Sequence, residues 1–294
     1  MDVQVGLAHF AGNLRSLGGG RLRIAVGGLT VGFEGLSEPI VAMASKRYEP
    51  FLSAADPIHT VLLREGLPHY LDIPPDGFLR LEEQTFPEGR ILTSHDFAAF
   101  RPLGNSPGVL RVQGGPEPKA AVSAMENYLR WTVADLALSR GGFVMHSAGL
   151  VRGGRAYLFY GHSGAGKSTV TELSAGAPVL SDDLVLVLNR DGTFLAATTP
   201  FHGTLGQRVK EQGLYPVQGL FRLRQAPVVQ LRPLSPAVAV ASVLSCCPFV
   251  QDPAVRMGTL QPLVESLCQS VPVQELLFRK DASFWDIIGT GEQA

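Results

Sequence analysis

Apolar positions recur along this chain with two periods, and the switches between them divide it. Up to about Val112 the apolar runs are short and alternating. Residues 21–26, 29–33 and 58–63 read as strands, the first two joined through Gly27-Gly28 as a hairpin. Pro74-Pro75-Asp76-Gly77 is a turn signal between two further apolar pieces within 71–81. From Lys119 to Arg140 the period lengthens. Val122, Met125, Leu129, Val133 and Leu136 lie three or four apart, which predicts a helix stopped by Gly141-Gly142. Residues 104–118, rich in Gly and Pro, read as the linker. The expected organisation is a small, mostly β region over 1–112 and a second domain over 113–294.

In the second part strands and helices mix. Residues 143–151 read as a strand carrying His146, and a turn at Gly153-Gly154 leads into the apolar strand 156–160. A short helix over 168–174 follows, ending near Gly176-Ala177-Pro178. Residues 178–183 are a brief strand that delivers Asp182 and Asp183, and 184–198 reads as a hairpin about Asn189-Arg190-Asp191-Gly192. Residues 219–224 and 228–231 read as strands paired with each other. Ser235 is the expected cap, and Pro236 the first residue, of a helix over 237–246. Met257, Leu260, Leu263 and Leu267 mark an amphipathic helix over 254–270. A strand over 271–278 and a short helix with Trp285 close an α/β pattern.

Composition narrows the function classes. The 294 residues are 45% hydrophobic and 17% charged, enough for a sizeable core and too apolar for a disordered chain. With a net charge of −1 and no Lys/Arg block, nothing points to nucleic acid or an anionic membrane surface. The longest apolar run, 237–247, falls short of the roughly 20 residues that span a bilayer. Residues 1–20 lack the basic flank and apolar core of a secretory leader. Cys246, Cys247 and Cys268 form no C-x-x-C pair, which suits a reducing compartment and small core residues. A soluble, cytoplasmic protein is expected. His59, His69 and His95 read as surface or loop histidines, Tyr128 and Trp131 as core or interface.

Candidate chemistry concentrates in one stretch. Gly161-His162-Ser163-Gly164-Ala165-Gly166-Lys167-Ser168-Thr169 fits G-x-x-x-x-G-K-[ST], the phosphate-binding loop (P-loop), between a predicted strand and a predicted helix. Glycines let the backbone wrap with its N–H groups turned inward on an anion. Lys167 offers a mobile ammonium to terminal phosphates, and the Ser168 hydroxyl can bind Mg²⁺. ATP and Mg²⁺ are therefore the expected cofactors. Asp182 and Asp183 end a strand, where successive side chains face opposite ways. One can lie over the Mg²⁺, a role given to Asp182, while the other faces an acceptor.

His146 at the end of an apolar strand, the loop from Gly161 to Ser168, and Leu180-Ser181-Asp182-Asp183-Leu184-Val185 together resemble the HPr kinase/phosphorylase family. Val271-Pro272-Val273, Leu277-Phe278, Asp281 and Phe284-Trp285 look like the tail of its divergent HPr-kinase-related branch. The resemblance covers about 143–288. It implies a nucleotide-binding domain with a mixed sheet, of the fold shared with phosphoenolpyruvate carboxykinase. It further implies that Asp183 is the base for an acceptor hydroxyl, that Lys167 neutralises the phosphoryl in transfer, and that His146 is a further active-site group. The family's Leu-Glu-x-Arg-Gly-Leu-Gly segment has no counterpart. Phe201-His202-Gly203-Thr204 occupies roughly that region, and Glu211 is an unaligned substitute for its acidic ligand.

The expected function is an ATP- and Mg²⁺-dependent kinase acting on a hydroxyl, either a serine of a protein or peptide or a small molecule. The alternative is a nucleotide-holding regulatory module that has lost catalysis. Arg208, Lys210, Arg222, Arg224 and Arg232 are candidates to line a groove for an acidic substrate. A homo-oligomer is left open, since apolar helices serve an interface or a core equally.

Overall fold

A computed structural model describes residues 4–73, 80–114, 118–203, 205, 212–250 and 252–288. The turn signal at 74–77, and Thr204, Arg208, Lys210 and Glu211, lie outside the described residues. The chain forms two compact units, Met1–Trp131 and Thr132–Ala294.

In the first unit the described strands are β1 (Gly20–Val26), β2 (Leu29–Leu36), β3 (His59–Gly66), β4 (Glu82–Phe86), β5 (Gly89–Thr93), β6 (Phe97–Pro102) and β7 (Gly108–Gln113). They make one mixed sheet in the order β1-β2-β3-β7-β6-β5-β4, parallel at β2–β3 and β3–β7. Part of the expected linker, 108–113, is strand: β7 lies between β3 and β6, its Leu110 and Val112 fully buried. Gly and Pro residues flank this strand. A helix the periodicity did not signal, α1 (Glu38–Arg47), buries only Ile40 and Ala44. So narrow an apolar stripe leaves little pattern to read. The long helix α2 (Pro118–Leu138) begins in this unit. Its Tyr128 and Trp131 are fully buried, and Arg90 lies over the Trp131 ring.

His59 departs from its expected place. It is buried, and its Nε2 is 2.7 Å from the Tyr128 hydroxyl. The period-2 alternation of β3 turns it inward with Val61 and Leu63.

In the second unit, β8 (Gly142–Arg152) and β9 (Arg155–Tyr160) form a hairpin, followed by α3 (Lys167–Leu173), β10 (Val179–Ser181), β11 (Leu184–Arg190) and β12 (Thr193–Ala197). Then come β13 (Leu214–Gln225), β14 (Gln230–Pro233) and α4 (Pro236–Leu244). The one-turn α5 (Pro253–Val255) and a π-helical turn at Arg256–Leu260 run into α6 (Gln261–Ser270), and β15 (Val273–Phe278) and α7 (Phe284–Ile288) follow. The Ser235 side chain makes no capping bond. Nor do β13 and β14 pair with each other: β15 runs between them, parallel to β13 and antiparallel to β14. Leu276, Leu277 and Phe278 are all buried, and so apolar a strand takes the interior position that a local hairpin would have closed.

Two strands change partners midway. β8 pairs with β11 through His146, and beyond it with β9 from Ser147 and with β10 at Gly149 and Leu150. β13 pairs with β12 over 214–216 and with β9 from Val217. Alternation along β9 sends Leu158 and Tyr160 to a core with α4 and α6, and Tyr157 and Phe159 to a core with α3 and α7. Among the described residues, no helix is long and apolar enough to cross a membrane.

Burial, reinforced by the charge of Arg101, pushes His59 down to about 4. The unfolded chain then binds more protons than the folded one between about pH 4 and pH 6.5, so stability falls as pH drops through that window. We expect His59→Gln to lose on the order of 3 kcal/mol less than wild type between pH 7 and pH 4. Urea unfolding at the two pH values checks this. Parallel losses in both proteins would refute it.

Candidate functional site

The exchange of partners in β8 sets up the site. His146 is its last residue opposite β11, across from Leu184, and Ser147 its first opposite β9, across from Tyr160. The backbone at this point is held from two sides. His146 N–H donates to the Cys246 carbonyl (2.7 Å) and Ser147 N–H to the Asp183 carbonyl (3.0 Å). One crossing thus gathers the end of β9, the turn between β10 and β11, and the end of α4.

β9 stops at Tyr160, and the chain wraps through Gly161–Gly166 before α3 starts at Lys167. Ala165 N–H donates to the His162 carbonyl (3.1 Å), and the Gln225 side-chain amide donates to the Gly164 carbonyl (2.8 Å). Gly166 has a φ of 112°, a conformation that L side chains rarely adopt. A Cβ there would sit 2.5 Å from the Phe278 ring. The loop's exit is therefore shaped by β15, and only glycine fits. His162, Ser163 and Gly164 are exposed, while Ser168 and Thr169 are half-buried in the first turn of α3.

Lys167 turns back over the loop. Its Nζ donates to the carbonyls of Gly161 (3.1 Å) and His162 (3.4 Å). Burial lowers its pKa from the ordinary lysine value, and the neighbouring Cys246 and Asp183 side chains oppose that. The ammonium and the Asp183 carboxylate thus act on each other across the crossing.

The two aspartates part as alternation requires. Asp182 is buried, its Oδ1 accepting from Gly203 N–H (2.8 Å) and its Oδ2 from Leu205 N–H (3.1 Å). Asp183 faces the other way, its Oδ1 3.5 Å from His146 Nε2. Ser181 fixes the turn between them: its hydroxyl accepts from the N–H groups of Asp183 and Leu184 and donates to the Phe201 carbonyl. His146, Asp183, Lys167 and the loop are brought together, whereas Asp182 is directed to the 203–205 backbone.

Sequence reasoning missed Cys246. Its thiol faces the start of the loop, where burial raises its pKa while Ser245, Lys167, the Gly161 N–H and Arg222 pull the other way. Nothing in the local pattern of α4 sets it apart from Cys247, which is buried. Beside the loop lies a cleft of about 990 Å³, bordered by His146, by the loop's first residues, by one side of α4 and by the ends of β13 and β15. Arg222 and Arg224 line it.

A family model described as SynChlorMet cassette protein ScmC matches residues 117–289, more than half of the chain. Among solved structures, the HPr(Ser) kinase/phosphatase from Coxiella burnetii matches at 10% identity and a TM-score of 0.26, covering 50% of this chain and 91% of that one. No curated protein matches the sequence.

The contact between Phe278 and Gly166 is testable as a coupling. Gly166→Ala should cost about 1–3 kcal/mol through strain and overpacking, and Phe278→Ala about 3–5 kcal/mol through the cavity it leaves. Because the smaller residue removes the clash, the double variant should be about 1 kcal/mol more stable than the sum of the two losses implies. Urea unfolding of the four proteins measures it, and strict additivity would show that the two positions do not meet.

Proposed function

The chain belongs to the SynChlorMet cassette protein ScmC family, and for this member we propose an ATP- and Mg²⁺-dependent phosphotransferase that moves the γ-phosphoryl to a hydroxyl. The observation that carries the reading is the convergence of Lys167, Asp183 and His146 on one end of the loop that follows β9. Phosphoryl transfer asks a protein mainly for positioning and for charge where charge develops. These residues supply both.

In this reading the loop from Gly161 to Thr169 holds the triphosphate, and Lys167 trades its two loop carbonyls for phosphate oxygens. Asp183 receives the proton of the acceptor hydroxyl as its oxygen bonds to the γ-phosphorus and the bond to ADP breaks. His146, 3.5 Å from that carboxylate, orients it. Mg²⁺ supplies a divalent counter-charge to the phosphate oxygens. The loop residue that would hold it is Ser168; Asp182, expected to share it, accepts one N–H on each oxygen and is directed to the 203–205 backbone.

The same two hydrogen bonds favour a second reading. A carboxylate already serving as a backbone clamp suits a module that keeps its nucleotide and does not transfer phosphate. The acceptor, whether a serine of a protein or peptide or a small molecule, is part of the proposal, as is a cytoplasmic setting.

We expect Lys167→Ala and Asp183→Asn each to abolish transfer of labelled phosphate from [γ-³²P]ATP into lysate components. Asp183→Asn should leave calorimetric ATP affinity within about threefold, a carboxylate-to-amide change that keeps shape and removes the base. Equal turnover by wild type and Asp183→Asn would sink the mechanism. ATP binding by wild type without any labelled product would select the second reading.

A further inference from the structure

We infer that the cleft beside the loop is the acceptor site and that it takes a hydroxyl compound bearing its own phosphate or carboxylate, anchored by Arg222. This rests on the phosphotransferase reading and names the substrate class of the same site.

The argument begins with register. Arg222 stands opposite Tyr160 of β9 on one side and Glu275 of β15 on the other, and registered neighbours share a face. Tyr160 faces α4, its hydroxyl 2.9 Å from Ser242 Oγ. Arg222 therefore projects from the floor of the cleft beneath α4, at the ends of the parallel strands β9, β13 and β15. In open α/β sheets that is where ligands bind. Two residues on, Arg224 shares the face.

Charge comes next. Arg224 lies 3.8 Å from the Glu275 carboxylate, so one arginine and the one acidic residue lining the cleft offset each other. Arg222 makes no ion pair among the described residues. Its guanidinium is exposed, yet near enough to Tyr160 and Cys246 to act on both electrostatically. One positive charge is left over, on a wall built of small and neutral groups such as Ala241, Ser242 and Ser245.

Position decides which molecule that charge serves. The cleft is bordered by Gly161–Ala165, the first part of the loop, and by His146, the partner of Asp183. In the phosphotransferase reading the group beside Asp183 is the hydroxyl that attacks. An anion meeting Arg222 then belongs to the molecule bringing that hydroxyl, and the nucleotide keeps Lys167 and the loop. A fixed guanidinium also suits phosphate or carboxylate better than an ammonium would, because its planar fork binds two oxygens at once.

The test uses simple anions as probes. Wild type, Arg222→Ala and Arg222→Lys are first titrated with the non-hydrolysable analogue AMP-PNP in Mg²⁺. The loaded proteins are then titrated with inorganic phosphate and with acetate by calorimetry. We expect the three proteins to bind AMP-PNP within twofold of one another. Loaded wild type should bind at least one anion saturably, Arg222→Ala should weaken that tenfold or more, and Arg222→Lys should restore part of it. Loaded wild type binding neither anion would overturn the inference alone, and so would Arg222→Ala binding the anions as well as wild type. A tenfold loss of AMP-PNP affinity in Arg222→Ala, with an unchanged melting temperature, would return the arginine to the nucleotide and overturn it too. Wild type failing to bind AMP-PNP would remove the phosphotransferase reading and this one with it.

Discussion

A single strand whose neighbours change along its length is the constraint on which the candidate site depends. Over its first half β8 is bonded to β11, and over its second half to β9 and β10. At the change neither neighbour satisfies the backbone completely, and buried N–H groups left without acceptors are costly. Two outside carbonyls resolve this. Cys246 accepts from His146, and Asp183 accepts from Ser147. Those two bonds draw the end of α4 and the β10–β11 turn to the place where β9 releases the loop. Side chains distant in sequence meet there because main-chain accounting has to be closed.

The charges at this crossing form an incomplete set. Lys167 is partly withdrawn from water, donates to two loop carbonyls and faces one carboxylate across the gap. A half-buried ammonium interacts more strongly with nearby negative charge than one in bulk water, because the local dielectric is lower. Asp183, by contrast, is held between a histidine and that lysine. The Ser181 hydroxyl secures the orientation of Asp183 from the backbone side.

Local pattern made much of this fold legible. The strands β1, β2, β8 and β9, the long helix α2, the helices α4 and α6, and the strand–loop–helix order around Lys167 all follow from periodicity and punctuation. Misreadings arose where a non-local partner outweighed a local signal. The Gln225-Ala226-Pro227 turn suggested a hairpin, but β15 arrives from about fifty residues downstream and separates its arms. The Gly/Pro stretch near 108 suggested a linker, but β3 and β6 recruit it into a sheet. His59 looked like a loop residue until the tyrosine of a helix some seventy positions on gave its ring a partner. At the site, the phosphate-loop motif marked Lys167, and the family resemblance marked Asp183 and His146 as candidates. Cys246 and the relevance of Arg222 among five scattered cations came only from tertiary register.

The two faces of β9 explain why the loop joins a rigid side to an open one. Toward α3 and α7 the strand presents Tyr157 and Phe159, which pack with Phe221, Phe284 and Trp285 at ring separations of 5.3 to 6.4 Å. Trp285 also donates to the Ser174 hydroxyl at the end of α3. Aromatic pairs of this kind add about 0.5–1.5 kcal/mol each beyond their buried area, so α3 and the exit of the loop are firmly seated. Toward α4 the same strand ends in Tyr160, whose hydroxyl meets Ser242 at the edge of the cleft. The C-terminal segment therefore acts as a brace: Phe278 fills the space that a side chain at Gly166 would need, and α7 locks the strand behind it. The face opposite this brace borders the cleft, which His146 and Arg222 line.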